Sequence, residues 1–295
     1  MRKSKTLQGF TVGRFVILSI LAFALIFYGV PLLWLFIASS KDQFTLFSTA
    51  PFSLGTWENV KSSWHDLSTY NNFQIVDWAW NSLIYSVGGV SISLITAVPA
   101  GYALAMFNFP GRKAVLIITL VAMITPSQAV VLPIFLELLA LGLTNTYLGL
   151  TLAVGFFPFG VYLTYVFFST SLPTGVMEAA RADGCNRFQQ FIHIGLPLAK
   201  PIIALVAFFS FLANWSNYFL AFVLLSDDRL FNLPLGLANL LSGAKALSNQ
   251  AASDIPIKMP EAIQAAIVVV LPVLIVFLMS QRFVRTGMLA GAEKG

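Results

Sequence analysis

This 295-residue chain has one cysteine, Cys185, and two histidines, His65 and His193. A single thiol excludes an intrachain disulfide framework, and no Cys/His cluster with metal-ligand spacing can be built from so few side chains. Charge is scarce too: 10% of residues are Asp, Glu, Lys or Arg, against about 25% in a soluble domain. The Gly-x-x-x-x-Gly-Lys phosphate loop is missing, so any ATP energy must arrive through another subunit. The formal charge is +5, but the basic residues are scattered through loops and form no dense patch, which argues against nucleic acid as a partner.

What the chain has in excess is apolar sequence. Hydrophobic residues make up 58%, above the roughly 45–50% of soluble domains. A bilayer core about 30 Å thick needs about 20 apolar residues per helix. Six such helices fit, near residues 12–38, 82–107, 114–137, 147–169, 201–225 and 262–281. The expectation is an all-α, polytopic membrane bundle, one transmembrane domain over 1–295. The apolar run from Phe15 to Ala38 follows a basic Arg2-Lys3-Lys5 start. It is too long for a signal-peptide core of about 7–15 residues, so it is expected to remain as the first span.

A cytoplasmic N-terminus puts Arg2, Lys3, Lys5, Arg14, Arg112, Lys113, Arg181, Arg187, Lys200, Arg282, Arg285 and Lys294 inside. Only Lys41, Lys61, Arg229, Lys245 and Lys258 then lie outside. This asymmetry follows the positive-inside rule and places both termini in the cytoplasm. The outer loop, about 39–81, carries Trp57, Trp64, Tyr70, Trp78 and Trp80, the last two where an interfacial aromatic belt is expected. The outer segment of about 226–261 suggests partial insertion. Glu137 reads as the only acid near a span, hydrated by headgroups, with no proton-relay role.

The stretch between spans four and five, about 172–200, reads as two short helices and a turn. Residues 176–183 are good helix formers, Gly184 can end that helix in a left-handed conformation, and Asn186 can cap the next. Phe188, Phe191 and Ile192 fall on one face of that second helix, and Pro201 suits the first turn of the following span. Ala179, Ala180 and Ala182 make a slim surface that a partner's groove could approach, edged by Glu178, Arg181 and Asp183. The plain alternative is an amphipathic surface loop among lipid headgroups.

Glu178-Ala179-Ala180, Gly184, Ile194 and Leu196-Pro197 resemble the signature loop (EAA motif) of permeases in binding-protein-dependent ATP-binding-cassette importers. Further matches are similar to the carbohydrate-uptake branch, including the second membrane subunit of maltose-type transporters. They are Asn81-Ser82-Leu83, Gly101-Tyr102-Ala103-Leu104-Ala105, Phe109-Pro110-Gly111-Arg112, Leu141-Gly142-Leu143-Thr144-Asn145-Thr146 and a C-terminal Gln281-Arg282-Phe283…Gly287…Gly291-Ala292 run. Cys185 stands where the family usually has a small apolar residue. Asn214-Trp215-Ser216-Asn217 carries Ser216 where the family has Asn.

The resemblance implies the type I importer permease fold in the bacterial inner membrane. It implies a coupling helix seated in a cleft of the ATPase, with Glu178, Ala179, Ala180, Asp183 and Gly184 as contacts. The implied partners are a homologous second permease subunit, two ATP-binding-cassette ATPase subunits and an extracytoplasmic sugar-binding protein. No cofactor is expected on this chain, with ATP and Mg on the ATPase subunits, and the chain is expected to be a transport subunit rather than an enzyme.

Within span five, Ser210, Asn214, Asn217 and Tyr218 recur at i, i+4, i+7 and i+8 and so stack along one helical face. Amides, a hydroxyl and an aromatic ring suit a sugar, so this stripe is a candidate substrate path. Interhelical hydrogen bonding is the alternative. Pro126 and Pro133 interrupt the third span and either gate or merely shape it. An ion-coupled secondary transporter of a small polar solute would need buried ionisable groups to carry the ion, and the spans as read have essentially none.

Overall fold

A computed structural model describes residues 4–243 and 257–292, with side chains over 13–173, 175–242 and 257–281. Lys245, Pro256, Lys294 and the residues of the C-terminal motif past Gln281 therefore lie outside the described side chains. Fifteen α-helices run in order among the described residues. They are α1 (Ser4–Ala38), α2 (Gln43–Ser48), α3 (Trp57–Thr69), α4 (Gln74–Met106), α5 (Arg112–Ile124), α6 (Ser127–Ala140), α7 (Tyr147–Gly155), α8 (Pro158–Ser171), α9 (Thr174–Ala182), α10 (Arg187–Gln190), α11 (Leu196–Leu198), α12 (Lys200–Trp215), α13 (Phe219–Leu224), α14 (Leu233–Gly243) and α15 (Met259–Ala292). No strand occurs among the described residues. The chain divides into two compact units, Met1–Asn72 with Leu240–Val268, and Phe73–Asn239 with Val269–Gly295.

Four stretches are long and apolar enough to cross a bilayer unbroken: Gly13–Ala38, Gln74–Met106, Tyr147–Ser171 and Met259–Gln281. Two bent pairs bring the number to six, and both depart from the continuous helices expected from hydropathy. The expected span 114–137 is α5 and α6, which meet at an angle of 107°. Pro126 explains the break: it disfavours helical backbone at Thr125 and supplies no amide hydrogen. The expected span 201–225 is α12, preceded by Arg187–Leu198 at 75° to it and followed, after a gap, by α13. Sixteen residues give α12 a length of about 24 Å, short of a bilayer core of about 30 Å.

In the first unit, α1 buries none of its most apolar stretch, as expected of a helix surrounded by lipid. Its last carbonyls are taken up by the Ser39 and Ser40 hydroxyls, at 2.7 and 2.6 Å. Lys41 follows, 1% exposed, its ammonium held by the carbonyls of Ala50 (2.7 Å) and Pro51 (3.3 Å). Asp42 caps α2, and the Thr45 N–H it accepts holds its carboxyl below the ordinary value. Glu261, in the first turn of α15, is 2% exposed. It accepts the Lys258 backbone N–H and stands 3.7 Å from the Lys258 ammonium, which also reaches Asp66 at 3.6 Å. Glu137 is therefore not the only acid near a span: Glu261 lies one residue before the start assigned to the sixth span, where hydropathy could not separate it from the loop.

The second unit is organised on α4, which packs along α8, α12 and α7. Gly89, Ser93, Ala97 and Gly101 recur every four residues, so they form one seam of small side chains on α4. A Cβ at Gly89 would press on Asn214 of α12 and Val154 of α7, and one at Gly101 would collide with Thr164 of α8. Ser93 donates to the Gly155 carbonyl at 2.9 Å, and Thr164 donates to the Ala97 carbonyl at 2.9 Å. Close approach lets these hydroxyls find partners on neighbouring helices, where lipid offers none.

The other end of α4 clamps the segment after α13. Trp78 Nε1 donates to the Asp228 carbonyl (2.8 Å) and Tyr85 to that of Leu230 (2.8 Å). Asn81 Nδ2 donates to the carbonyls of Arg229 (2.7 Å) and Phe231 (3.0 Å), and its oxygen accepts from Tyr147 (2.7 Å). Trp78 is 1% exposed, whereas Trp80 is 62% exposed. Trp78 is thus no belt residue: its ring is covered by Gly236, where a Cβ would overlap it.

Candidate functional site

The loop before α12 is built by local capping. At the end of α9, Gly184 takes φ +86°, Cys185 N–H reaches the Ala180 carbonyl at 2.9 Å and Gly184 N–H the Arg181 carbonyl at 3.1 Å. This is the Schellman closure, which needs the left-handed residue that glycine supplies without Cβ strain. Two residues on, Asn186 and Gln189 form a reciprocal capping box, each side chain accepting the other's backbone N–H at 2.9 and 2.8 Å. Gln190, 3% exposed, ties back to the Cys185 carbonyl at 3.1 Å. The loop is therefore a fixed body.

Its apolar underside is anchored to the second unit. Phe191 packs on Tyr102 of α4 with ring centroids 4.8 Å apart, and Tyr102 meets Phe168 of α8 at 5.1 Å. Met177, Phe191 and Leu196 pack against the buried cluster of Val98, Tyr102, Phe168, Leu172, Ala199, Ile202 and Val206. Of the three residues expected on one face, Phe191 and Ile192 are partly buried, while Phe188 is 71% exposed. Of the expected partner contacts, Glu178, Ala179, Asp183 and Gly184 are exposed. Ala180 is not: it is 8% exposed, and its part is to let α9 lie close to the chain.

The expected stripe of Ser210, Asn214, Asn217 and Tyr218 is not one helical face, because α12 stops at Trp215. Asn217 N–H turns back to the Asn214 carbonyl at 3.2 Å, and Asn232 donates to the Asn217 carbonyl at 2.6 Å. Ser210 is fully buried; it donates to Ser93 at 2.9 Å and lies 3.3 Å from the Asn214 amide nitrogen. Tyr218 stacks on Phe222 at 5.8 Å. Asn214 and Asn217 do come together, in the wall of a cavity of about 570 Å³.

Three helix interruptions meet at this cavity. Thr125 and Ser127 reach it from the α5–α6 bend, Phe156 and Phe157 from the gap between α7 and α8, and Asn214 and Asn217 from the end of α12. Among the described residues no charged side chain lines it. The Asn217 side-chain oxygen is buried and has no hydrogen-bond partner. A neutral, mostly apolar recess with a few amides and hydroxyls suits an uncharged, hydroxyl-rich or aromatic-stacking ligand.

A helical membrane chain with a capped, protruding loop before its fifth span has counterparts among known proteins. Residues 97–289 match the family described as binding-protein-dependent transport system inner membrane component. The chain belongs to this family. It is 34% identical over 259 residues to the diacetylchitobiose uptake system permease protein NgcG of Streptomyces coelicolor, covering 86% of this chain and 80% of that one. It is 32% identical over 220 residues to the arabinooligosaccharides transport system permease protein AraQ of Halalkalibacterium halodurans, covering 74% and 75%. Its fold is similar to a chain in the crystal structure of a bacterial ABC transporter involved in the import of the acidic polysaccharide alginate. There the TM-score is 0.76 and the identity 25%, over 96% of this chain and 99% of that one. The protein is thus a multi-pass membrane permease subunit that works with the other components of a binding-protein-dependent importer, and it is not an enzyme. The family does not favour an ion-coupled carrier.

Proposed function

We propose that this permease subunit forms half of the membrane pathway for an uncharged di- or oligosaccharide. The relatives named for arabinooligosaccharides, diacetylchitobiose and, in Streptococcus pneumoniae, maltodextrin support a carbohydrate. The charge-free cavity at the three helix interruptions supports a neutral one. Asn214, Asn217 and Ser127 offer groups that exchange hydrogen bonds with sugar hydroxyls, and Phe156 and Phe157 offer faces for sugar rings. Ser210 and Tyr218 flank this path and hold its frame. A homologous second permease supplies the other half, and an extracytoplasmic binding protein delivers the sugar.

The loop around Gly184 is the port through which ATP energy enters. The observation that carries this reading is the closed, rigid turn of Ala180–Cys185, which leaves Glu178, Ala179, Asp183 and Gly184 exposed on a body anchored by Phe191 to Tyr102. Two ATPase subunits, holding ATP and Mg, grip α9 in the cytoplasm. Their closure moves the loop as a lever and switches the bundle between inward and outward openings. Both termini then lie in the cytoplasm.

Gly184→Asp is the test. The substitution puts a side chain and a charge at a φ of +86° on the exposed contact face. Copurification of the ATPase subunit is expected to fall sharply and sugar uptake to be lost while the protein still reaches the membrane. Full ATPase attachment with wild-type uptake would remove the assignment.

A further inference from the structure

We propose that an anionic phospholipid occupies the cleft between the end of α4 and the α10 turn, its phosphate held by Arg187 and a fatty-acyl segment lying in the slot. The cleft has a volume of about 390 Å³ and is walled by Pro99, Tyr102, Ala103, Phe107, Phe188 and Phe191, with Arg187 at its edge. The Arg187 guanidinium sits 4.9 Å from the centre of the Phe107 ring. Tyr102 is 3% exposed, and its hydroxyl has no hydrogen-bond partner. Phe188, 71% exposed, stands beside Arg187 on the same short helix.

Charge argues for the occupant. Just beyond Phe107, a second hollow carries Arg112 and Lys113. Arg112 bonds only neutral oxygens, Asn108 Oδ1 at 2.8 Å and the Ala105 carbonyl at 3.4 Å. No carboxylate lines either hollow, and the ion pairs found among the described residues are both made by Lys258. Arg187 at the edge of the slot, and Arg112 and Lys113 in the neighbouring hollow, thus have no carboxylate partner among the described residues, at the end of a membrane-spanning helix. A basic pocket of this kind at the membrane surface is the recognised chemistry of an anionic lipid head. A soluble anion would leave the slot unfilled, and a zwitterionic lipid would leave the cations unbalanced. The inference rests on the proposed orientation only for the leaflet: with α9 cytoplasmic, the lipid is in the inner one.

The experiment uses the assembled importer, extracted from membranes of equimolar phosphatidylglycerol and phosphatidylcholine, with retained lipid counted by native mass spectrometry. Retention of phosphatidylglycerol in preference to phosphatidylcholine is expected. Arg187→Gln should reduce that preference about fivefold, the effect of one basic residue near a membrane surface. Ala103→Trp, which fills the slot, should abolish retention; if it fails to fold, the Arg187→Gln ratio decides alone. Equal retention of the two lipids, a ratio unmoved by Arg187→Gln, or an assembled importer with no retained lipid would overturn the proposal, the last by showing that protein covers this face. Displacement of the lipid by millimolar inorganic phosphate would assign the cations to a free anion and overturn it as well. Copurification of the ATPase with Gly184→Asp is scored separately, so failure of the lipid site and failure of the coupling port give different results.

Discussion

Asn81 and Asn217 show how much a single amide does in this protein. Asn81 satisfies two carbonyls of the segment after α13 and takes the Tyr147 hydroxyl. Asn81→Leu leaves buried polar groups without partners, each costing about 1–3 kcal/mol. A lowered unfolding temperature and faster proteolysis at residues 226–232 are expected, read by thermal denaturation and limited digestion. The sequence contains the Asn81-Ser82-Leu83 motif, but nothing in it reveals a partner about 150 residues away. Asn214 and Asn217 looked alike in sequence, three positions apart, and the fold brings both to one cavity with different surroundings. Asn214 is buried beside Gly89, with no room for a larger side chain there, and donates to Ser210, so Asn214→Leu should lower the yield of assembled protein. Asn217 lines the cavity, so Asn217→Leu should assemble normally and transport several-fold more slowly. Wild-type sugar uptake by Asn217→Leu would remove it from the path.

At the scale of elements, hydropathy located the spans but not their breaks, because composition reports lipid exposure and says little about backbone hydrogen bonds. The α5–α6 bend did have a signal in Pro126. The end of α12 had none in hydropathy, and Asn232 binds the Asn217 carbonyl just beyond it. Trp78 was legible as an amphipathic ring near a span end and not as a buried one, because Gly236 covers it from far along the chain. The loop before α12 was the most legible element, since Gly184, Asn186 and Gln189 act on their near neighbours. The small-residue seam of α4 was also written in the sequence, as Gly89, Ser93, Ala97 and Gly101, and passed unread beside the stronger apolar signal. Gly101→Leu tests it: four added carbons have no space against Thr164. Overpacking of about 1–3 kcal/mol or more should appear as loss of folded protein, whereas Gly175→Ala, in open space, should leave the yield unchanged.

For the whole molecule, one physical picture joins the parts. Apolar helices fix the chain in the bilayer, their interruptions gather a few uncharged polar groups around a recess, and a capped loop packs on the cluster around Tyr102. The Phe191–Tyr102–Phe168 contacts connect loop to core, so displacement of α9 must reach α4 and α8 through packed rings rather than through a flexible tether. Everything depends on which side of the membrane that loop occupies. Cys185 is partly exposed and is the chain's one thiol, so a membrane-impermeant maleimide applied to sealed vesicles of either orientation measures it directly. The account predicts labelling in inside-out vesicles, blocked when the ATPase subunits are bound, and none in right-side-out vesicles. Labelling of Cys185 from the exterior, or labelling from the interior that bound ATPase does not protect, would contradict it.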